Sequence, residues 1–205
     1  MMQARKNDEA RPDTGRLHLR HHHAAWTRIR TRTNRLSKTT GWLCTPGVGK
    51  SLMAHLLEEE TKLNWIDVSK VAIETGCVRE YDEELQCSVL DEDALLKLME
   101  NWMRKGGQIV DYHSADLFPV SWFDIVFVLR TNNTILYDRL QERGYNKKKL
   151  QSNVEAEIFE IVVQEAKDSF EPEIVHELTN DTPDELIVNV DRICQWVEQW
   201  KIDNK

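Results

Sequence analysis

Cys44-Thr45-Pro46-Gly47-Val48-Gly49-Lys50-Ser51 is the stretch on which the fold turns. It fits the pattern G-x-x-x-x-G-K-[ST] at Gly49, Lys50 and Ser51 and departs from it at Cys44, where the opening glycine belongs. In such a loop backbone N–H groups wrap a phosphate chain, the lysine reaches the outer phosphates and the hydroxyl turns to Mg²⁺. A helix has to follow so that its N-terminal amides face the anion, and Leu52, Leu56 and Leu57 among good helix formers predict one over 51–60. A buried parallel strand has to precede it, and such strands read as runs of Val, Ile and Leu. Thr39-Thr40-Gly41-Trp42-Leu43-Cys44 is a poor match to that composition, so the motif reads as intact at its helix end and damaged at its strand end. The plain alternative is a Pro-Gly turn that happens to precede a lysine.

Downstream, strands and helices alternate. Leu63–Val68 reads as a short strand and Ser69–Glu74 as a helix stopped near Gly76. Tyr81–Leu90 is polar and acidic and reads as a loop. A helix starting at Asp91-Glu92-Asp93 carries Leu95, Leu98, Met99 and Trp102 on one face, with Arg104 and Lys105 complementing its dipole before Gly106-Gly107. Gln108–Tyr112 and Asp124–Leu129 read as strands, the second central, and 132–142 as a helix broken by Gly144. One long helix is predicted from Asn146 to about Phe170, then a strand over 174–178 and a terminal helix striped by Leu186, Val190, Ile193, Val197 and Trp200. The alternation implies an α/β fold: a parallel sheet with right-handed crossovers, helices on both faces and ligands at the carboxyl ends of the strands.

Charge divides the 205 residues unevenly. Residues 1–43 hold ten Lys/Arg against three acids, net +7, and residues 44–205 hold 17 against 32, net −15. The leader also carries four of the seven histidines and few aliphatic residues, so 1–43 is expected to be a disordered, atypical start ahead of a domain over 44–205. No apolar run is long enough to cross a bilayer, and no membrane partner is expected. Cys44, Cys77, Cys87 and Cys194 lack metal-site spacing and read as reduced thiols of an intracellular protein, which excludes a zinc-bearing lid.

Phosphoryl transfer requires cations around the phosphates, a hydroxyl and a carboxylate for the metal, and a group to orient the acceptor. Lys50 and Ser51 supply the first parts. Asp111 ends a strand like a Walker-B acid and would hold Mg²⁺, partly through water. His113 could orient water or an acceptor, although a loop histidine is commonly only hydrogen-bonded. Arg130, Arg139 and Arg143 follow the central strand, and Arg143, beside Gly144 at a break between helices, is suited to closing over a triphosphate; a solvated helix end is the alternative. Lys147-Lys148-Lys149 and the acidic triplets at 82–84 and 91–93 read as solvated faces or caps, and the tryptophans as packing residues.

The chain resembles the adenylate kinase 6 family, also described as nuclear adenylate kinase or coilin-interacting nuclear ATPase. The resemblance is carried by Thr-Pro-Gly-Val-Gly-Lys-Ser at 45–51, Leu-Asp-Glu-Asp at 90–93, Ile-Val-Asp-Tyr-His at 109–113, Trp-Phe-Asp-Ile-Val-Phe-Val-Leu-Arg-Thr at 122–131, Glu-Arg-Gly-Tyr-Asn-Lys-Lys-Lys-Leu at 142–150 and Glu-Ile-Val-His-Glu-Leu at 173–178. It runs from 45 to 205 and leaves out 1–43. It implies a P-loop nucleoside monophosphate kinase fold with a short lid at about 142–152 and a monophosphate-binding segment at about 67–90. It implies ATP:AMP phosphotransfer and ATP hydrolysis with ATP and Mg²⁺, and a nuclear and cytoplasmic role in small ribosomal subunit (18S rRNA) maturation. The implied partners are AMP or another nucleoside monophosphate, a small-subunit ribosomal protein and the pre-40S particle. The family's ATP site falls on Gly47, Val48, Gly49, Lys50, Ser51 and Leu52, its lid arginine on Arg143, and its Walker-B-like motif on Asp111 and His113.

Two departures from the family bear on activity. The strand of Ile, Leu and Val before the loop is replaced by Thr39–Cys44, and on that basis Cys44→Gly is expected to tighten ATP binding. Where the family has Gly-Asp-Leu-Ala-Arg to grasp the monophosphate, this chain has Ser69-Lys70-Val71-Ala72-Ile73, so a bidentate phosphate partner is lost at Ile73 and kinase turnover is expected to fall. Three readings follow: an ATP-dependent monophosphate kinase, a nucleotide-gated ribosome assembly factor with ATPase but little kinase activity, and an inactive product lacking its first strand.

Overall fold

A computed structural model describes residues 39–83 and 87–203. At its centre is the segment that was expected to be missing. Thr40–Leu43 forms β1, flanked in parallel by β5 (Gln108–Tyr112) on one side and β6 (Ile125–Arg130) on the other. The outer strands are β2 (Asn64–Asp67) beside β5 and β7 (Val175–Thr179) beside β6, giving the order β2-β5-β1-β6-β7, all parallel. This corrects the placing of residues 40–43 in a leader and of the domain boundary at 44; residues 1–38 lie outside the described residues. Composition misled here because backbone pairing on both edges does not need aliphatic side chains. The strand is anchored at its start by a reciprocal pair: Thr39 N donates to Asp124 Oδ2 at 3.0 Å and Asp124 N donates to Thr39 O at 3.1 Å.

The substitution leaves marks. The hydroxyls of Thr39 and Thr40 are buried without a partner among the described residues. Thr40 borders a gap, too tight for water, that is also lined by Leu57, Leu63, Ile109, Ile193 and Val197. Gly41 has a use: a Cβ there would stand 3.1 Å from the Phe123 ring, so its absence lets the ring lie against the strand.

Alternating side chains of the buried strands feed two cores. Ile109, Ile125, Phe127 and Leu129 join Met53, Leu57, Leu136, Leu140, Val190, Ile193 and Val197 on the face covered by α1 (Lys50–Thr61), α4 (Asn133–Glu142) and α7 (Pro183–Asp203). Val110, Val126 and Val128 join Ala72, Leu95, Met99, Met103, Val163 and Ala166 under α2 (Val68–Thr75), α3 (Glu92–Lys105) and α6 (Ile161–Ser169). The parallel α/β architecture is therefore the one that the alternation implied.

Two local expectations fail. The segment read as a loop over 81–90 contains an antiparallel hairpin, β3 (Val78–Asp82) paired with β4 (Cys87–Leu90), with an irregularity between Val78 and Glu80. Arg79, Glu80 and Tyr81 are exposed, so the hairpin has little of the buried alternation that announces a strand. The single helix predicted over 146–170 is two, α5 (Lys147–Ile158) and α6, broken where Glu160 takes φ 53. Neither Gly nor Pro marks the break. The Glu160 carboxylate instead accepts from Arg130 Nη1 at 3.1 Å, a tertiary partner that helix propensity cannot foresee.

Candidate active site

The loop between β1 and α1 is shaped by two glycines. Gly47 and Gly49 take φ 101 and 104, values that side chains rarely adopt. A Cβ on Gly47 would stand 2.8 Å from a Leu136 methyl and 2.9 Å from one of Leu140, so α4 lies directly against the loop. A Cβ on Gly49 would stand 2.5 Å from Asn180 Nδ2. That amide donates to Val48 O at 2.6 Å, clamping the loop from the end of β7. Asn180 is 4% exposed and was not foreseen from the sequence. Its only local signal is its place just beyond the carboxyl end of a strand.

Cys44 is not a lesion in this loop. It is absent from the positive-φ positions, so no glycine is required there, and its side chain is wholly buried in the core beneath α1. Burial holds its thiol far above the ordinary cysteine range, with the Lys50 charge pulling weakly the other way. Cys44→Gly is accordingly expected to lower stability by about 2 kcal/mol, from lost burial and added backbone freedom, rather than to tighten nucleotide binding. Urea denaturation beside ATP calorimetry checks this. Undiminished stability with tighter binding would restore the reading of a damaged loop.

Three predicted residues converge at the mouth of the loop. Lys50 Nζ lies 3.7 Å from Asp111 Oδ1, and Ser51 Oγ donates to Asp111 Oδ2 at 3.2 Å. Asp111, at the carboxyl end of β5, has a side chain only 3% exposed. Burial raises its pKa; Lys50 opposes that most strongly, nearby Asp67 adds to it, and the Ser51 hydrogen bond together with the Trp65 indole N–H, short of full hydrogen-bond geometry, lowers it. A hydroxyl and a carboxylate so placed are hard oxygen donors. They suit Mg²⁺, which is commonly held by one or two protein oxygens together with substrate phosphates. Among the described residues no group of three or more His, Cys, Asp or Glu side chains is arranged to hold a metal ion.

The other predicted residues are more loosely grouped. The His113 ring lies 4.2 Å, centroid to centroid, from that of Tyr112. Its pKa is pushed down to about 4, by desolvation first and by the Lys50 charge second, against a weaker pull from Asp116. The residue is nonetheless exposed, which softens the desolvation, and the direction is what matters: the imidazole is neutral near pH 7 and can accept a hydrogen bond. Val48 is a core residue whose carbonyl serves Asn180, and Leu52 is 55% exposed on α1. Arg143 caps the carboxyl end of α4, exposed, three residues beyond the Leu140 that touches Gly47.

The neighbouring arginines are committed elsewhere. Arg139 donates to Asn180 O at 3.3 Å and Asp181 O at 2.8 Å, holding the loop that clamps Val48. Arg130 Nε donates to Glu157 Oε1 at 2.7 Å. Glu157, on α5 and 3% exposed, also accepts from Thr45 Oγ1 at 2.7 Å and from Thr131 N at 3.3 Å. A buried carboxylate thus joins the start of the phosphate loop to α5, the helix whose first half falls within 142–152, and no sequence pattern announced it. On the opposite side, α2 exposes Ile73 to 63%, and Lys70 forms an i,i+4 ion pair with Glu74 at 3.8 Å.

Comparison with known proteins agrees with this geometry. A family model described as an AAA domain matches residues 43–160. The chain is 46% identical to the adenylate kinase isoenzyme 6 homolog of Drosophila melanogaster over 157 residues, 77% of this chain and 90% of that protein. It is 41% identical to the adenylate kinase isoenzyme 6 homolog FAP7 of Saccharomyces cerevisiae, over 76% of this chain and 80% of that one. Among solved structures, shikimate kinase from Bacteroides thetaiotaomicron superposes with a TM-score of 0.54 at 12% identity, covering 78% of this chain and 98% of that one, a likeness of fold alone. With the phosphate loop, the parallel sheet and relatives of this identity in agreement, the chain belongs to the adenylate kinase isoenzyme 6 family and is a P-loop enzyme of the nucleoside monophosphate kinase class.

Proposed function

We propose that the protein transfers the γ-phosphoryl group of ATP to AMP or another nucleoside monophosphate and, with no acceptor bound, to water. The observation that carries this is the convergence of Lys50, Ser51 and Asp111 at the loop mouth, at 3.7 and 3.2 Å. In this reading the loop amides and Lys50 cradle the phosphates, Ser51 and Asp111 hold Mg²⁺, and neutral His113 accepts a hydrogen bond that orients the acceptor or water. The metal, when bound, supplies charge neutralisation across the phosphates. Arg143, with no side-chain bond among the described residues, is free to reach a triphosphate from a lid at about 142–152, and the monophosphate segment covers about 67–90.

Exposed Ile73 favours a second balance of the same activities. An isoleucine offers no donor to the acceptor phosphate, which weakens kinase turnover and leaves the hydrolytic residues in place. We place the activity in maturation of the small ribosomal subunit, in the nucleus and cytoplasm, with a small-subunit ribosomal protein on the pre-40S particle as partner. The net charge of −15 over residues 44–205 supports a basic partner, since complementary charge steers association. The reading of an inactive product loses its motive, because β1 is in place.

The test is ADP formation from MgATP with and without AMP, beside phosphate release. Acceptor-dependent ADP that exceeds phosphate release supports the kinase, and phosphate release indifferent to AMP supports the gated ATPase. Failure of a folded protein to do either would sink both.

A further inference from the structure

Asp111 depends on two partners that the reaction would take away. If the site works as proposed, Lys50 turns to the phosphates and the Ser51 oxygen turns to the metal, so the bonds that these groups now make to Asp111 are given up. A carboxylate that ligates a metal is commonly aimed by a hydrogen bond from a neighbouring donor.

Trp65 is the candidate. In β2 it pairs in register with Ile109, and Asp67 pairs with Asp111, so Trp65, Ile109 and Asp111 project from the α1 face of the sheet. Trp65 and Asp111 are thus diagonal neighbours across adjacent strands, a separation that a long aromatic side chain spans. Its ring nitrogen is fully buried and, among the described residues, has no partner at full hydrogen-bond geometry. An indole N–H so placed carries an unmet demand for an acceptor. The carboxylate diagonal to it across β2 and β5 is that of Asp111. The rest of Trp65 is fixed independently: its backbone N–H donates to Glu58 Oε1 at 2.9 Å, and its ring lies 6.3 Å from His55.

We propose that Trp65 is a positioning residue for Asp111, its indole N–H closing onto the carboxylate when Lys50 and Ser51 turn to nucleotide and metal. The inference rests on the magnesium–nucleotide reading of the site. Its signature is a split: the N–H matters to metal-dependent binding and not to nucleotide binding without metal.

The experiment measures ATP affinity by calorimetry in EDTA and across a Mg²⁺ titration, in the wild type, in Trp65→Phe and in Asp111→Asn. Alongside runs a protein with Trp65 replaced by 3-benzothienylalanine, which keeps the ring shape and lacks only the N–H. Both Trp65 replacements are expected to leave metal-free affinity within about twofold and to raise the Mg²⁺ concentration at half effect about tenfold. In an Asp111→Asn background Trp65→Phe is expected to add no further shift. Should Trp65→Phe fold poorly, the isosteric replacement decides. An unchanged Mg²⁺ requirement in that protein overturns the role of Trp65 while leaving the site reading standing. Equal losses with and without metal overturn it too, because they mark packing alone. If wild-type affinity ignores Mg²⁺, the site reading fails and the inference with it.

Discussion

Lys50→Ala is expected to lower ADP formation from MgATP and AMP by about 10²–10³-fold, the usual consequence of removing one preorganised charge-stabilising group from a reaction centre. The lysine opens α1 at the rim of a loop whose two glycines take positive φ, and its side chain is only 16% exposed. Before nucleotide arrives its ammonium is held 3.7 Å from Asp111, so it is positioned without being neutralised by a tight pair. Truncation removes the cation and also takes from Asp111 the charge that most strongly opposes its raised pKa. The variant is therefore expected to lose on two counts, phosphate binding and a carboxylate, proposed above to hold the metal, that protonates more readily. Fold loss is not the cause in this scheme, because the loop is held from behind by Asn180 and from below by Leu136 and Leu140. Circular dichroism melts beside initial rates and ATP calorimetry check it. A folded Lys50→Ala protein with rates near wild type would mean that the phosphates do not lie in this loop.

What could be read in advance follows a physical line. Ile125–Arg130, α3 and α7 were legible because burial writes a period into the sequence, near-continuous for a central strand and three-to-four for a helix packed on one face. Lys50 and Ser51 were legible because their motif is local, and Asp111 because it stands at the end of a buried strand. Glu157 and Asn180 were not, since their partners Thr45 and Val48 lie 112 and 132 positions away. The exposed hairpin at 78–90 carries too little buried alternation to be seen, and β1 was discounted because its burial is met by Thr and Gly rather than by aliphatic residues. Arg130 and Arg139 show the converse error. Both looked available to a phosphate, and both are spent on holding loops in place.

Glu157→Ala is expected to destabilise the protein by about 2–5 kcal/mol, the range for leaving two buried donors without their acceptor. The carboxylate is 3% exposed and serves three donors from two segments: Thr45 of the phosphate loop, and Arg130 with the adjoining Thr131 amide at the end of β6. Arg130 does not become an orphan on truncation, because Glu160 at 3.1 Å and Glu177 at 3.6 Å remain. The larger burden falls on the Thr45 hydroxyl and the Thr131 N–H, which are buried and lose their acceptor. Glu157→Gln separates charge from geometry. It keeps an acceptor oxygen but offers Arg130 no charge, so its cost is expected to be roughly half that of the alanine variant. Because Thr45 is the second residue of the motif, both variants are also expected to weaken ATP binding, with alanine the weaker binder. Urea denaturation gives the first quantity and calorimetry the second. An alanine variant as stable as wild type would show that the α5 contact is incidental. One that is destabilised yet binds ATP normally would confine Glu157 to holding the fold, with no hand in shaping the loop.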